Sequence, residues 1–406
     1  MNIILGVCGS ISAYKALDIC RGLVKNGHGV KVVLTKGAEQ FVRPEVFKYL
    51  GATDIFRFLD DFDPEKIADG STVTHIHLAK WCDRLMVAPL SANTASLLAQ
   101  GRGQDLLTSI FLALPREKPI ILYPAMNTQM LDHPFVQENL KKLNSLKNII
   151  IHPSAHGLLA CGDQGDGKLS NVDEIVLTAP LHNILPANKK VLISTGATVA
   201  PLDPMRFLTN ASSGKTGFYL AQQFLAQGYQ VTVIATKTTT KDFDLLENLP
   251  HFELHRVSTT HQMRELVLRY FENTNLYISA AAICDFDFNF QDQKIKKLKS
   301  TQHLSYQLAP DILKEVLNLK KSGQKIIGFA AESHLTRSSL EEKWKSKPVD
   351  LLIGNTVNHG HQAQDQVQGF QQDFGEYLFF EKMNVSNLKK LSKMQLAQEI
   401  FQWSQS

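Results

Sequence analysis

The chain reads as an α/β protein built from two doubly wound, Rossmann-like domains in series, residues 1–188 and 189–406. Three observations predict this. Each half opens on an apolar run of strand length, NIILGV and KKVLIST. Each of these runs leads to a helical pattern, AYKALDICRGLVKNG in the first half and GFYLAQQFLAQG in the second, and then to another apolar run, VKVVLT or YQVTVIAT. Apolar strands alternating with amphipathic helices imply parallel sheets covered on both faces. Finally, 406 residues exceed one ordinary domain, and the pattern breaks at TAPLHNILPANKK, where two prolines sit among polar residues.

Further strands are expected at 84–89, 119–126, 276–283, 325–331 and 349–355, with a late strand EYLFFE after a Gln-rich stretch, QAQDQVQGFQQDFG, read as a loop. Ligands of doubly wound sheets sit beyond the carboxyl ends of strands. Those ends read CGS, LT, APLSANT and PAMN, then STGAT, SAAICD, GFAAE and IGN.

Composition narrows the class. With 44% hydrophobic and 20% charged residues the chain is globular, and a net charge of +4 suits anionic small molecules better than nucleic acid. Five cysteines without a C-x-x-C pair point away from a disulfide framework or a structural zinc site. No leader and no span of membrane length are read, which places the expected location in the cytoplasm.

In the first half, Gly6–Ser10 is a G-x-x-G-S turn rather than the dinucleotide fingerprint. It serves as a plain tight turn or as a phosphate seat at a helix start. Thr35, Ser91, Asn93 and Thr94 add hydroxyls and an amide at neighbouring strand ends. His75 and His77 share a face if their segment is extended; a catalytic histidine is preferred there over a metal pair, since further closely spaced ligands are missing. Asn127 could hold a carboxylate. Cys161, in the glycine-rich ACGDQGDG, is placed for reaction, whereas Cys8, Cys20, Cys82 and Cys284 read as packing residues.

H-x-x-L-x-K-W from His75, APLSANT, PAMN and ACGDQGDG together resemble the flavin-dependent phosphopantothenoylcysteine decarboxylases. The resemblance implies an N-terminal flavoprotein domain that holds FMN around Gly9, Ser10, Thr35, Ser91, Asn93 and Thr94. It implies that FMN oxidises the substrate thiol so that carbon dioxide can leave. His75 is then the base near the flavin, Asn127 grips the substrate carboxylate, and Cys161 returns a proton. Lys168 stands where the family loop often has arginine.

In the second half, TNASSGKTG is a near miss to a P-loop: Thr209 replaces the first glycine, and a dozen residues separate it from the preceding strand. LDPMRFLTNASSGKTG, SAAICDF, KIKK, PDIL, GFAAE and EEKWKSKPVDLLIGN are similar instead to phosphopantothenate–cysteine ligase. The resemblance implies a C-terminal ligase domain that uses CTP and a divalent cation such as Mg2+ to form an acyl-cytidylate, from which the cysteine amine displaces CMP. Backbone N–H groups of Ser212, Gly214 and Gly217 then hold the nucleotide beside a helix starting near Gly217. Further CTP contacts are implied at Ser279, Ala280, Ala281, Asp285, Pro310, Asp311, Ile312, Leu313, Phe329, Lys343, Lys347 and Asn355. Lys294 in KIKK is the leading electrostatic residue, although such a run alone reads as a solvated edge. Asn210, Ala281, Ala282 and Asp285 would contact phosphopantothenate, and Arg206 would reach into a neighbouring subunit. Decarboxylase trimers joined through ligase dimers are implied for the assembly. STGATVAP and YQLAPD depart from the ligase pattern. The rival readings are a non-catalytic flavoprotein regulator of the same fold, a P-loop-like nucleotide hydrolase and a nicotinamide-dependent reductase.

Overall fold

The structure, a computed structural model, describes residues 1–63, 73–181, 189–247, 249–295, 304–357, 374–381 and 384–406. Contacts divide the chain into two units, Met1–Ile184 and Leu185–Ser406.

In the first unit β1 (Asn2–Val7), β2 (Gly29–Leu34), β3 (Asp54–Phe56), β4 (Arg84–Leu90), β5 (Ile120–Pro124) and β6 (Ile149–Ile151) form one sheet in the order β3-β2-β1-β4-β5-β6. Every pairing is parallel. The helices are α1 (Lys15–Lys25), α2 (Pro44–Tyr49), α3 (Thr74–Trp81), α4 (Ala92–Ala99), α5 (Leu106–Ala113), α6 (Thr128–Leu131), α7 (Pro134–Asn144) and α8 (Val172–Thr178). A small antiparallel hairpin, β7 (Ala155–Leu158) and β8 (Gln164–Lys168), stands apart from the sheet.

Alternation along β1 makes the two-sided core. Ile3, Leu5 and Val7 join the layer that contains Ala16, Ile19, Cys20 and Leu23 of α1, while Ile4 joins the layer of α3, α4 and α5. The buried α1 residues recur at helical spacing, and Gly27 at φ 80 follows the helix end and allows the reversal into β2. Each fully buried aliphatic side chain here contributes roughly 1.5–3 kcal/mol of transfer free energy.

The second unit repeats that strand order with different residues. β9 (Lys190–Ala197), β10 (Val199–Asp203), β11 (Arg206–Thr209), β12 (Gln230–Thr236), β13 (Phe252–Val257), β14 (Leu276–Ala282), β15 (Phe286–Phe288), β16 (Tyr306–Leu308), β17 (Lys325–Glu332), β18 (Leu351–Thr356), β19 (Phe374–Glu381), β20 (Asn384–Val385) and β21 (Lys389–Ser392) are its strands. Its main sheet runs β13-β12-β9-β14-β17-β18-β19-β20, with β21 also on β19. Pairings are parallel from β13 to β18 and antiparallel from β18 outward. The helices are α9 (Lys215–Ala226), α10 (Thr260–Phe271), α11 (Ile312–Leu319), α12 (Arg337–Ser346) and α13 (Lys393–Gln405). β10–β11 and β15–β16 are two-stranded hairpins beside the sheet.

Several local expectations are corrected. His75 and His77 lie on the helix α3, where residues two apart face different directions, so the shared face of an extended segment is lost. The long connection after the strand at 189–195 contains the hairpin β10–β11, and its helix opens at Lys215 rather than near Gly217. Most of the Gln-rich stretch lies outside the described residues, and its last two residues already belong to β19.

Candidate active sites

In the first sheet β1 lies between β2 and β4, and in the second β9 lies between β12 and β14; the connections on the two sides of that strand run outward in opposite directions, which opens the crevice that doubly wound folds use for ligands. A cleft is found there in each unit.

The first cleft, about 610 Å³, is lined at the carboxyl ends of β1, β4 and β5 by Gly9, Ser10, Ser91 and Ala125–Asn127. Ser10 caps the turn Ile11–Tyr14 that runs into α1, and its Oγ donates to the Ala125 carbonyl at 3.0 Å. A Cβ at Gly9 would sit 2.9 Å from the Gly37 Cα, so only glycine permits this backbone approach. Ser91 caps α4, accepting from the Thr94 N–H at 3.3 Å.

The β7–β8 hairpin covers one side, and its tip brings Cys161 to Asn127. The Asn127 Nδ2 donates to the Cys161 sulfur at 3.3 Å, and that thiol donates to Asp163 at 3.3 Å. Asn127 Oδ1 accepts from the Gln129 N–H at 2.8 Å, which fixes the amide's orientation. The glycine spacing of ACGDQGDG follows from docking: a Cβ at Gly165 would meet Thr128 Oγ1 at 2.5 Å, and one at Gly167 (φ 114) would meet the Met126 carbonyl at 2.1 Å.

The residues present fit FMN. Ile11, Tyr14, Phe41, Met130 and Leu158 are large apolar side chains left exposed, and all of them line this one cleft. That is a surface for a planar ring system. Lys15 and Lys168 also line it; burial, and then the neighbouring Lys168, lower the Lys15 ammonium below its ordinary value. Two cations held near one another suit a phosphate.

Thr35, Asn93, Thr94 and His75 do not line the cleft. Thr35 is buried and stabilises the turn after β2 by accepting from the Ala38 N–H at 3.3 Å. Thr94 is buried beneath Ser91, and Asn93 is exposed on α4. His75 is oriented by Asp61, which accepts both its backbone N–H at 3.0 Å and its Nδ1 at 2.8 Å. That pairing puts the proton on Nδ1 and leaves Nε2 as the acceptor. Asp61 carries no motif and lies fourteen positions away, so sequence reading had no signal for it. Cys8, Cys20, Cys82 and Cys284 are buried; burial pushes the Cys8 thiol up to about 11.

The second cleft, about 740 Å³, gathers Asn210, Ser212, Gly214, Ser279, Ala280, Ala281, Ala282 and Asp285 with Pro310, Asp311, Ile312, Leu313, Phe329, Lys343, Lys347 and Asn355. Gly214, at φ 73, is the N-cap residue of α9, and a Cβ there would meet Thr239 Cγ2 at 2.5 Å. Asn210 Nδ2 donates to the carbonyls of Ala282 and Ile283 at 3.2 and 2.9 Å, tying the loop to the end of β14. Lys343 pairs with Glu332 at 2.6 Å and Lys347 with Asp311 at 2.7 Å. Lys215, Thr216, Glu332 and Tyr377 also line this cleft and were given no role from sequence, although the first two belong to the near-miss motif.

Gly217, Lys294 and Arg206 are outside the lining. Gly217 is buried where a Cβ would sit 2.3 Å from Thr195 Oγ1, so its glycine serves helix-to-strand packing. Lys294 is exposed. Its neighbour Ile295 is held by Asp203, which accepts the Ile295 N–H at 3.0 Å, and by Arg206, which donates to the Ile295 carbonyl at 2.9 Å. The Ile295 N–H, and then those of Met205 and Arg206, hold the Asp203 carboxyl below its ordinary range. Among the described residues no group of three or more His, Cys, Asp or Glu could hold a metal ion, and no helix is long and apolar enough to cross a membrane.

Two doubly wound units, each with a cleft at its switch point, define a flavoprotein half followed by a second α/β half: a family profile described as Flavoprotein matches residues 1–179, and one described as DNA/pantothenate metabolism flavoprotein C-terminal domain matches residues 186–406. The chain is 34% identical over 409 residues to the coenzyme A biosynthesis bifunctional protein CoaBC of Bacillus subtilis, spanning 99% of this chain and 96% of that one. It is 32% identical over 406 residues to the protein of the same name from Borreliella burgdorferi, spanning 98% and 97%. The chain therefore belongs to the family of bifunctional coenzyme A biosynthesis proteins. Among solved structures it resembles a PPC decarboxylase mutant complexed with pantothenoylaminoethenethiol, at 32% identity, TM-score 0.40 and coverage of 44% of this chain and 96% of that one. It also resembles the C-terminal domain of a CoaBC protein, at 25% identity, TM-score 0.41 and coverage of 54% and 94%.

Proposed function

We propose that the two activities of this family, phosphopantothenate–cysteine ligase and phosphopantothenoylcysteine decarboxylase, are divided between the two clefts, with residues 189–406 forming the amide and residues 1–188 removing carbon dioxide. The observation that carries this reading is that Asn127 and Cys161, expected to act together from two separate motifs, hydrogen-bond at the mouth of an apolar cleft.

In the first cleft FMN would supply the electron acceptor for the substrate thiol and, once reduced, would return the same two electrons after carbon dioxide has left. Gly9, Ser10 and Ser91 hold the cofactor, the exposed apolar residues exclude water from it, and Asn127 orients the substrate carboxylate for loss of carbon dioxide. Cys161 then delivers a proton to the product. His75, held by Asp61 with its Nε2 available, serves as base in a neighbouring copy's cleft, which makes the decarboxylase half an oligomer, and a trimer fits the resemblance. Thr35 and Thr94 support this site from behind its lining.

In the second cleft the carboxylate of 4'-phosphopantothenate attacks the α-phosphorus of CTP and pyrophosphate leaves. The cysteine amine then attacks the acyl carbon of the cytidylate, and CMP leaves. Developing charge on phosphate oxygens is met by Lys343, Lys347 and the N–H groups that open α9. Asn210 holds the acyl group, and Lys294 with a divalent cation carried by the triphosphate completes the charge balance. Arg206 acts across a dimer of this half. Incubating the protein with 4'-phosphopantothenate, cysteine, CTP and magnesium is expected to yield 4'-phosphopantetheine by mass spectrometry; absence of both that product and the coupled amide would reject the assignment.

A further inference from the structure

Tyr377 enters the second cleft from the antiparallel strand β19, where it lies opposite Asn355 of β18, and both residues line the cavity. It is 4% exposed. Gly375 precedes it by two residues on the same face of the strand, and a Cβ there would meet the Tyr377 hydroxyl at 2.7 Å and Cζ at 2.9 Å. The ring therefore leans back along β19, which is toward the carboxyl end of β18, where the cavity opens. Glycine at 375 makes the room for it.

The hydroxyl has no hydrogen-bond partner among the described residues, yet it is not among the side-chain atoms sealed from solvent. Burial pushes this phenol up to about 12, so it stays a protonated donor throughout the physiological range. A buried donor left unanswered is unfavourable, and one that faces a cavity is answered by what the cavity binds. The turn proposed to hold phosphate opens α9 after the β10–β11 hairpin that follows β9, and β9 lies four strands from β19 in the sheet. At about 4.8 Å per strand, that is roughly 19 Å. One group cannot serve both ends.

We infer that Tyr377 donates a hydrogen bond to an acceptor on the nucleoside part of the nucleotide, the base or the ribose, and so sets nucleotide affinity in this cleft. The inference rests on the second cleft being the nucleotide site.

Calorimetric titration of the full-length protein tests it, with CTP and inorganic tripolyphosphate as separate probes in the presence of magnesium. Tyr377→Phe keeps the ring and its packing. It is expected to weaken CTP binding about five-fold, the size of one neutral hydrogen bond, while leaving tripolyphosphate binding and the melting temperature unchanged. Gly375→Ala, which crowds the phenol, should weaken CTP in the same way. Unchanged CTP affinity in Tyr377→Phe overturns the inference, as does an equal loss for CTP and tripolyphosphate. Failure of the unaltered protein to bind CTP would instead overturn the nucleotide reading and this inference with it.

Discussion

Lys343 and Lys347 face the second cleft already paired, the first with Glu332 and the second with Asp311. A triphosphate entering the cleft must compete with those carboxylates for the same ammonium groups. The pairs are partly exposed, so each is worth little to stability, at most about 1 kcal/mol. For a ligand bearing several negative charges the carboxylate is also a source of repulsion. Glu332→Gln is therefore expected to tighten CTP binding about two- to five-fold at low salt, with the gain shrinking as ionic strength rises. Titration of that variant at two salt concentrations checks this; unchanged or weaker binding at low salt would show that the Glu332 carboxylate does not oppose the nucleotide. Asp311, Lys343 and Lys347 were legible in the sequence because they sit in motifs. Glu332 closes the GFAAE motif and Asp61 carries none, and neither was given a role, because each acts through a partner that only the fold brings near.

The β7–β8 hairpin is the element that turns a glycine-rich string into a site. Its backbone docks on the segment after β5 through a 3.0 Å bond from the Met126 N–H to the Gly167 carbonyl, with no room for a Cβ at Gly167. Gly167→Ala is expected to undock the hairpin. Decarboxylation should slow by at least ~10-fold, about 1.4 kcal/mol of barrier, and protease cleavage between 155 and 168 should quicken, while pyrophosphate release from CTP stays normal. A normal decarboxylation rate would mean that the docking seen here does not position Cys161. Long strands such as β1 and β4 were legible because burial on both faces makes them continuous apolar runs. Hairpins were not: β10–β11 and β15–β16 are three to five residues per strand, with β11 and β16 exposed throughout and β10 and β15 in part buried, leaving no regular alternation to read. THIHLAKW was ambiguous for a related reason. Eight residues with buried Thr74, Leu78 and Ala79 are too short a window for the helical period to stand out.

At the scale of the molecule, two units with unrelated residues reach the same strand order and place their clefts at the same topological position. The sequence announced the doubling through its repeated strand–helix–strand openings, and it announced the cleft residues wherever they sit at strand ends. It could not announce that Gly217 and Thr94 are packing residues, since contact with a ligand and contact with a neighbouring strand demand the same small or hydroxylated side chain. Division of labour between the units is the central claim, and variants of the full-length chain assayed for each half-reaction test it most directly. Cys161→Ser should release pyrophosphate from CTP at the normal rate while failing to deliver the saturated thiol product. Asn210→Ala should lose pyrophosphate release at least ~10-fold yet decarboxylate supplied 4'-phosphopantothenoylcysteine normally. If either substitution depressed both half-reactions by the same factor, the two clefts could not be separate catalytic centres.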